Sequence, residues 1–127
     1  VFNQSINIYA EQHKLLQELA EKSDCIIVGR CADYILQDKD PFRIFVYADR
    51  ASKVKRCIER EPSNEKLTEQ EIKRNMASID KKRAKYYEFF SHNKWGSREN
   101  YDLMVNTGNK DIKVVTDAVL DYINKVY

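Results

Sequence analysis

An arginine interrupts the apolar face of a long helix that the sequence predicts over residues 69–90. Positions on that face recur at alternating spacings of four and three residues, and they are Ile72, Met76, Ile79, Arg83, Tyr86 and Phe90. Burial of an unpaired guanidinium is strongly unfavourable, so Arg83 is expected to reach a carboxylate, a cleft or an anionic ligand. Asp80, one turn earlier, is the nearest candidate partner. The alternative is an arginine at the edge of the apolar face that only packs beside Asp80.

Positive charge is concentrated around the same helix, although the whole chain has a net charge of only +2. The basic residues of this cluster are Lys66, Lys73, Arg74, Lys81, Lys82, Arg83 and Lys85. Proteins that bind the long backbone of DNA or RNA usually have a much more basic domain. The pattern therefore favours a small polyanion such as a nucleotide over a nucleic acid polymer.

Length and composition predict one soluble domain over residues 1–127. The chain is 43% hydrophobic, which is enough for a core, and no apolar run is as long as a membrane span or a signal-peptide core. We therefore expect a cytoplasmic protein without a membrane partner. Its three cysteines have no CxxC spacing, which indicates neither a disulfide framework nor a metal site. Cys25 and Cys57 fit buried or half-buried positions, whereas Cys31 follows a Gly-Arg turn close to a candidate site.

Apolar runs alternate with helical patterns along the chain, which predicts an α/β fold. The predicted strands cover residues 25–28, 43–48 and 102–106, and the predicted helices cover residues 4–22, 32–36, 51–60, 69–90 and 110–124. Thr68 and Glu71 form a capping box at the start of the long helix. Because strands alternate with helices, the sheet should be parallel. The polar stretch 61–66 is the one loop predicted to be mobile.

Several blocks of sequence, spaced over the chain, form a familiar pattern. In order they are Ile26-Ile27-Val28-Gly29-Arg30-Cys31-Ala32-Asp33-Tyr34-Ile35-Leu36, Ile44-Phe45-Val46-Tyr47-Ala48, Asp80-Lys81-Lys82-Arg83-Ala84-Lys85-Tyr86-Tyr87, Trp95, Asn100-Tyr101-Asp102-Leu103 and Asn106-Thr107. Together they resemble the cytidylate kinase-like family of P-loop nucleoside monophosphate kinases. The resemblance implies a three-layer α/β fold, a parallel sheet flanked by helices. It also implies transfer of the ATP γ-phosphoryl group to CMP, dCMP or a related small acceptor, with Mg²⁺ entering with ATP.

The resemblance also implies a segment that this sequence does not contain. Members of the family begin with a strand, a glycine-rich phosphate loop and a helix, whereas Gly29, Gly96 and Gly108 stand in no GxxxxGK[ST] frame. We therefore expect the N-terminal strand and the P-loop to be absent from this chain. Residues 1–127 would form the C-terminal portion of one kinase-like domain, with a lid at about residues 61–95, and would be inactive alone.

Roles on the acceptor side follow from the resemblance residue by residue. Arg30 matches the arginine that holds the α-phosphate of the acceptor, and a guanidinium fork suits a phosphate. The alternative is a capping or surface arginine. Cytidylate kinases have a pyrimidine-recognising Asp directly after this Gly-Arg pair, but here Cys31 stands there, and Asp33 follows two positions later as the candidate substrate-binding carboxylate.

Roles in the lid also follow from the resemblance. Asp80 and Arg83 match an Asp-x-x-Arg pair, in which the Asp orients the ribose or a neighbouring arginine and the Arg contacts the phosphates during transfer. Met76 stands where the proven enzymes have a further arginine. Tyr86, Tyr87 and Trp95 are expected to pack in the lid and core rather than to stack on a base.

The ATP side would involve two further pairs of residues. Arg56 and Arg60 resemble an arginine pair that packs on ATP, with a solvated charged face as the alternative. Asn106 and Thr107 end the last strand where such kinases contact adenine, with a simple turn as the alternative. The partners would be ATP and a small phosphate acceptor, and a homo-oligomer is left open. The competing function is a kinase-fold module that binds a nucleotide or a partner protein without turnover.

Overall fold

The computed structural model describes residues 2–60 and 67–127 and has a helix-rich α/β architecture. Its elements in chain order are α1 (Phe2–Lys22), α2 (Ala32–Ile35), β1 (Ile44–Tyr47), α3 (Arg50–Arg60), α4 (Glu69–Ser91), β2 (Leu103–Asn106) and α5 (Ile112–Val126). Short 3₁₀ turns occupy Gln37–Lys39 and Arg98–Asn100. All the predicted helices and two predicted strands are confirmed. The predicted mobile loop 61–66, with Lys66 of the basic cluster, lies outside the described residues.

The predicted capping box starts α4. The backbone N–H of Thr68 donates to Glu71 Oε2 at 2.8 Å, and the backbone N–H of Glu71 donates to Thr68 Oγ1 at 3.2 Å. These reciprocal bonds satisfy N–H groups at the helix start that have no partner within the helix. They fix the residue at which the chain enters α4, and hence the helical positions of Asp80 and Arg83 further along it.

The two strands form a parallel pair. In its register, Ile44 lies opposite Leu103 and Tyr47 lies opposite Asn106. Directly after the strands, the backbone N–H of Thr107 donates to Tyr47 O at 2.8 Å. Parallel pairing brings the carboxyl ends of both strands to the same edge of the sheet, which is where open α/β sheets bind ligands.

Arg43 and Asp102 precede the two strands and bind each other reciprocally. The Asp102 N–H donates to Arg43 O at 2.8 Å, and the Arg43 N–H donates to Asp102 Oδ2 at 2.8 Å. The guanidinium Nε of Arg43 donates to the same carboxylate oxygen at 3.3 Å. Backbone and side chain therefore hold the two segments in register one residue before the sheet begins.

Residues 25–28 do not form the predicted strand. Within the described residues this segment has no paired neighbour, and the side chains of Ile26 and Val28 are 96% and 87% exposed. A strand is stabilised by hydrogen bonds to a neighbour and by packing of its faces, and an apolar run supplies neither by itself. Ile27 is partly buried against the nearby hydrophobic cluster. The described sheet therefore has two strands rather than three.

Contacts divide the chain into two compact units. The first unit contains the residues up to Arg43 together with Lys81–Asp102, and the second contains Ile44–Asp80 together with Leu103–Tyr127. The boundary within α4 falls between Asp80 and Lys81. No helix within ranges 2–60 and 67–127 combines the length and apolar character that a membrane crossing requires.

The first unit has an aromatic core between α1 and the second half of α4. Its buried side chains are Leu16, Cys31, Ile35, Leu36 and Tyr87. The ring of Tyr9 stacks on that of Phe90 with centroids 4.0 Å apart, and the Tyr86 ring lies 4.8 Å from Phe90. Tyr86 and Trp95 are partly buried against this core, which confirms the predicted packing of both residues.

The apolar face predicted on α4 is covered only in part. Ile72 is buried and Met76, Tyr86 and Phe90 are half-buried, but Ile79 is 48% exposed and Arg83 is exposed. Periodicity indicates which residues share one face of a helix, but not whether another element covers that face along its whole length. This face of α4 therefore does not bury Arg83 in the described structure.

The burial predicted for Cys25 and Cys57 is also wrong. Cys25 and Cys57 are exposed, whereas Cys31 is buried. Cys25 opens the segment that lacks a strand neighbour, so nothing in the described sheet covers it. Cys57 lies on α3, where its Sγ is 3.8 Å from Met76 Sδ. Cys31 packs in the core of the first unit.

The Arg43–Asp102 pair predicts an acid-sensitive contribution to stability. Burial opposes ionisation of Asp102, but hydrogen bonds from the backbone and side chain of Arg43 outweigh it and lower the pKa of this carboxyl. Such a carboxyl stabilises the fold above its unfolded pKa of about 4, and the contribution is lost as the pH falls through the folded pKa. We expect Asp102→Asn to lower the free energy of unfolding at pH 7 by about 1 kcal/mol, measured by urea denaturation.

The same substitution should flatten the decline of stability below about pH 4, because the titrating group is gone. Asp121→Asn is the matched control. Asp121 pairs with Lys125 at 2.8 Å on exposed α5, so its loss should cost less than about 0.5 kcal/mol. Equal losses in the two variants would contradict a structural role for the Arg43–Asp102 pair.

Candidate functional site

Arg30 lies in a left-handed turn of the first unit. Gly29, Arg30 and Cys31 have φ values of 72°, 60° and 59°, and the Ala32 N–H closes the turn by donating to Gly29 O at 3.2 Å. This conformation is easy for glycine but unfavourable for residues with a Cβ. Strain of this kind is commonly found at functional sites. The turn exposes Arg30 and buries Cys31, the next residue.

Arg30 and Cys31 differ in their electrostatic surroundings. Burial raises the pKa of the Tyr86 phenol, and the positive charge of Arg30 acts in the opposite direction. Burial, followed by the negative charge of Asp33, raises the pKa of the Cys31 thiol to about 12. Such a thiol stays protonated at neutral pH and is a poor nucleophile. Of the two adjacent residues, Arg30 is therefore the one that can meet an anion.

Asp33 accepts a hydrogen bond from Tyr87. The phenol O–H of Tyr87 donates to Asp33 Oδ2 at 2.7 Å. Burial and then this hydrogen bond raise the pKa of Tyr87, so the phenol keeps its proton and stays a donor. Sequence reasoning missed this contact because 54 residues separate its partners and Tyr87 stands in an aromatic run typical of a core.

Asp80 and Arg83 lie on α4, on the two sides of the boundary between the units. Asp80 is half-buried and accepts a hydrogen bond from Lys53 Nζ at 2.8 Å. Lys53 belongs to no motif that sequence reasoning identified, and only the proximity of α3 to the first half of α4 reveals it. Arg83 is exposed on the helix. Both residues of the predicted catalytic pair thus lie on one helix, and Lys53 binds the aspartate of that pair.

Arg56 binds the loop that follows β2. Its Nη1 donates to Thr107 Oγ1 at 2.9 Å, and its Nη2 donates to Thr107 O and, at 3.5 Å, to Lys110 O. The Thr107 hydroxyl in turn donates to Tyr47 O at 3.2 Å. The structure therefore joins two of the predicted ATP-binding residues, Arg56 and Thr107, directly.

The other predicted ATP-binding residues are Arg60 and Asn106. Asn106 is exposed, and its Oδ1 accepts a hydrogen bond from the Gly108 N–H at 2.9 Å. Arg60 is exposed at the last position of α3. Among the described hydrogen bonds, none brings Arg60 to Thr107 or Asn106. Asn106 therefore shapes the turn after β2, and no described hydrogen bond joins Arg60 to that turn.

The N-terminus of α3 approaches this turn closely. Asp49 caps the helix, because its carboxylate accepts hydrogen bonds from the Ser52 N–H at 3.0 Å and from the Ser52 hydroxyl at 2.6 Å. The bond from the hydroxyl and then that from the N–H lower the pKa of Asp49. A Cβ at Gly108 would collide with the Asp49 carboxylate. A side chain at position 108 would therefore force the Asp49 carboxylate to move.

A surface depression of about 440 Å³ adjoins the turn. Its lining residues are Ser52, Lys55, Arg56, Glu59, Asn109 and Lys110. The volume falls within the range of small-molecule sites, about 300–1,000 Å³. Because cationic side chains outnumber the single carboxylate, the depression is suited to an anionic group.

The described residues also bear on metal binding. Within residues 2–60 and 67–127, no group of three or more His, Cys, Asp or Glu side chains could hold a metal ion.

Comparison with known proteins places this geometry in a family. A model of the cytidylate kinase-like family matches residues 2–109. The chain is also similar to the crystal structure of an uncharacterized protein from Eubacterium ventriosum, with 33% identity and a TM-score of 0.83. That match covers 93% of this chain, which spans only 65% of the length of the solved chain.

No curated protein matches the sequence significantly. The family match nevertheless includes the Arg30 turn, Asp33, the Asp80–Arg83 segment of α4 and the loop held by Arg56. It thus covers every predicted site residue and most of the sequence, and we conclude that the chain belongs to the cytidylate kinase-like family.

Proposed function

We propose that the chain belongs to a nucleoside monophosphate kinase that transfers the ATP γ-phosphoryl group to CMP, dCMP or a related small acceptor. Family membership supports a kinase-like phosphotransferase. The observation that carries the proposal is the left-handed turn, which exposes Arg30 three residues before the half-buried Asp33. A guanidinium fork binds phosphate and a carboxylate accepts hydrogen bonds from amino groups, so the pair offers one contact for each end of the acceptor.

Catalysis would rest on positioning and electrostatics. Phosphoryl transfer spreads negative charge over the equatorial oxygens of the transferred group, and an arginine placed there accelerates related reactions by roughly 10³ to 10⁵. Arg83 would supply this charge from its exposed position on α4. Asp80, held by Lys53, would orient the ribose or a neighbouring arginine.

The ATP side of the proposal centres on the second unit. Arg56 and Arg60 would pack on ATP, and Asn106 and Thr107 would contact adenine. The bonds between Arg56 and Thr107 support a prearranged loop, and the cationic depression beside it suits an anionic group. We propose that the finer fold is of the three-layer P-loop kinase type, as one domain with a lid at about residues 61–95.

The phosphate-binding loop is the further requirement of this function. The glycines of this sequence stand in no GxxxxGK[ST] frame, so we propose that sequence outside it supplies a P-loop. Mg²⁺ would enter as its complex with ATP, with phosphate and water as its main ligands. ATP and the acceptor would be the partners of the protein, which we place in the cytoplasm; a homo-oligomer is left open.

A second candidate function is a kinase-fold module that binds a nucleotide or a partner without turnover. Two contacts favour this function. The protein itself already binds the Asp80 carboxylate and the Arg56 guanidinium, two groups that the proposed reaction would use. Lys53 binds the Asp80 carboxylate at 2.8 Å, and Arg56 donates to Thr107 and Lys110. Measured turnover distinguishes the two functions.

Turnover should require more than this chain. Residues 1–127 expressed alone should form no ADP from ATP and CMP, since their sequence contains no GxxxxGK[ST] motif to bind the β- and γ-phosphates. The exposed Ile26 and Val28 should also promote self-association, measured by light scattering. The intact protein should phosphorylate CMP in the same coupled assay. CMP phosphorylation by a monomeric 127-residue chain would refute the requirement for a separate P-loop.

Arg83 should contribute to rate and little to stability. We expect Arg83→Ala in the intact protein to lower kcat by about a hundredfold or more, because transition-state charge is left unneutralised. The melting temperature should barely change, because the side chain is exposed. Lys82→Ala is the matched control, since it removes a neighbouring exposed cation from the same helix and should retain most activity. A large stability loss with normal kcat would assign Arg83 a structural role.

Arg30 should act on the acceptor rather than on ATP. Arg30→Lys keeps the charge but loses the bidentate fork, so KM for the acceptor should rise by about tenfold with little change in KM for ATP. Steady-state kinetics with each substrate varied in turn measures both constants. Equal increases in the two KM values would argue against an acceptor-phosphate role.

A further inference from the structure

We infer that Tyr87 is a positioning residue that orients the Asp33 carboxylate and thereby sets which acceptor base is preferred. The inference deepens the proposed function and rests on it. Tyr87 was expected only to pack in the core, and it is indeed buried there. Its hydroxyl group, however, is bonded to the one carboxylate that follows the Arg30 turn within α2.

The two carboxylate oxygens of Asp33 differ in their hydrogen bonding. Tyr87 donates to Oδ2 at 2.7 Å, and among the described hydrogen bonds none engages Oδ1. The terminal torsion of an aspartate is broad, so a carboxylate without such a bond can rotate. The Tyr87 hydroxyl therefore restrains the plane of the carboxylate and leaves Oδ1 to accept from a ligand.

Tyr87 is itself held by its surroundings. Its side chain is buried in the core of the first unit. At the backbone, Tyr87 O accepts from the buried Ser91 hydroxyl at 2.5 Å. The donor therefore has a fixed origin, and its effect on Asp33 is directional rather than a chance surface contact.

A restrained carboxylate can distinguish bases that differ in one group. Ionised carboxylates only accept hydrogen bonds, and they repel other acceptors. Cytosine has an amino group where uracil has a carbonyl oxygen, so a fixed Oδ1 favours the first base and disfavours the second. Loss of the restraint lets the carboxylate turn away from the carbonyl oxygen, which weakens discrimination more than binding itself.

Tyr87→Phe in the intact protein tests the role, because it removes the hydroxyl and keeps the packing ring. We expect the ratio of kcat/KM for CMP to that for UMP to fall by about tenfold, with kcat for saturating CMP within about twofold of wild type. Tyr86→Phe is the matched control. It removes a hydroxyl one residue away that donates to Gln12 at 3.1 Å, and it should leave the ratio unchanged.

A double substitution tests whether Tyr87 acts through Asp33. Asp33→Asn alone should also lower the CMP to UMP ratio. If Tyr87 works by orienting that carboxylate, Tyr87→Phe should lower the ratio no further in the Asp33→Asn background. Additive losses in the double variant would overturn the inference, since they would mean that Tyr87 acts independently of Asp33.

The outcomes separate this inference from the proposed function. An active wild type whose ratio is unchanged by Tyr87→Phe, or changed equally by Tyr86→Phe, overturns the inference and leaves the kinase function intact. A wild type that phosphorylates no nucleoside monophosphate refutes the kinase function. Calorimetric binding of CMP and UMP then decides: a lower CMP to UMP affinity ratio in Tyr87→Phe supports the role of Tyr87. An equal ratio, or no binding of either nucleotide, overturns it.

Discussion

The parallel pairing of β1 with β2 determines the arrangement of the second unit. It joins segments 59 residues apart, and the reciprocal Arg43–Asp102 bonds sit at its start. Because parallel strands end at the same edge, the cap of α3 at Asp49 meets the turn that follows β2. In this register Arg56 reaches Thr107. A shift by one residue would separate the guanidinium from the loop that it holds.

Local features of the fold could be predicted from the sequence because their signals are local. The capping box at Thr68, the helical periodicities and the apolar runs of β1 and β2 each lie within a few neighbouring residues. Burial and strand pairing depend on what lies opposite, which explains the two main failures. Residues 25–28 have a strand-like composition without a described neighbour, and the face of α4 near Arg83 is uncovered.

The candidate site also has a part that could be predicted from the sequence and a part that could not. The resemblance to the cytidylate kinase-like family nominated Arg30, Asp33 and Arg56, because the residues near the Gly-Arg pair and on the helix before the loop can be compared with the family's pattern. It could not supply their side-chain partners, which are 54 residues away for Asp33 and 51 for Arg56. The predicted core packing of Tyr87 is confirmed, but for this reason it was incomplete. Its ring does pack in the core, but only the distant Asp33 reveals the use of its hydroxyl.

The uneven burial of the thiols gives the protein natural reporter positions. Cys31 is 4% exposed and its pKa is raised to about 12, so it should resist alkylating reagents. Cys25 and Cys57 are exposed, and one lies in each compact unit. Thiol-directed probes would therefore label each unit once, without engineered cysteines. The distance between a pair of such labels, followed by fluorescence or spin resonance, would report whether nucleotides change the separation of the two units.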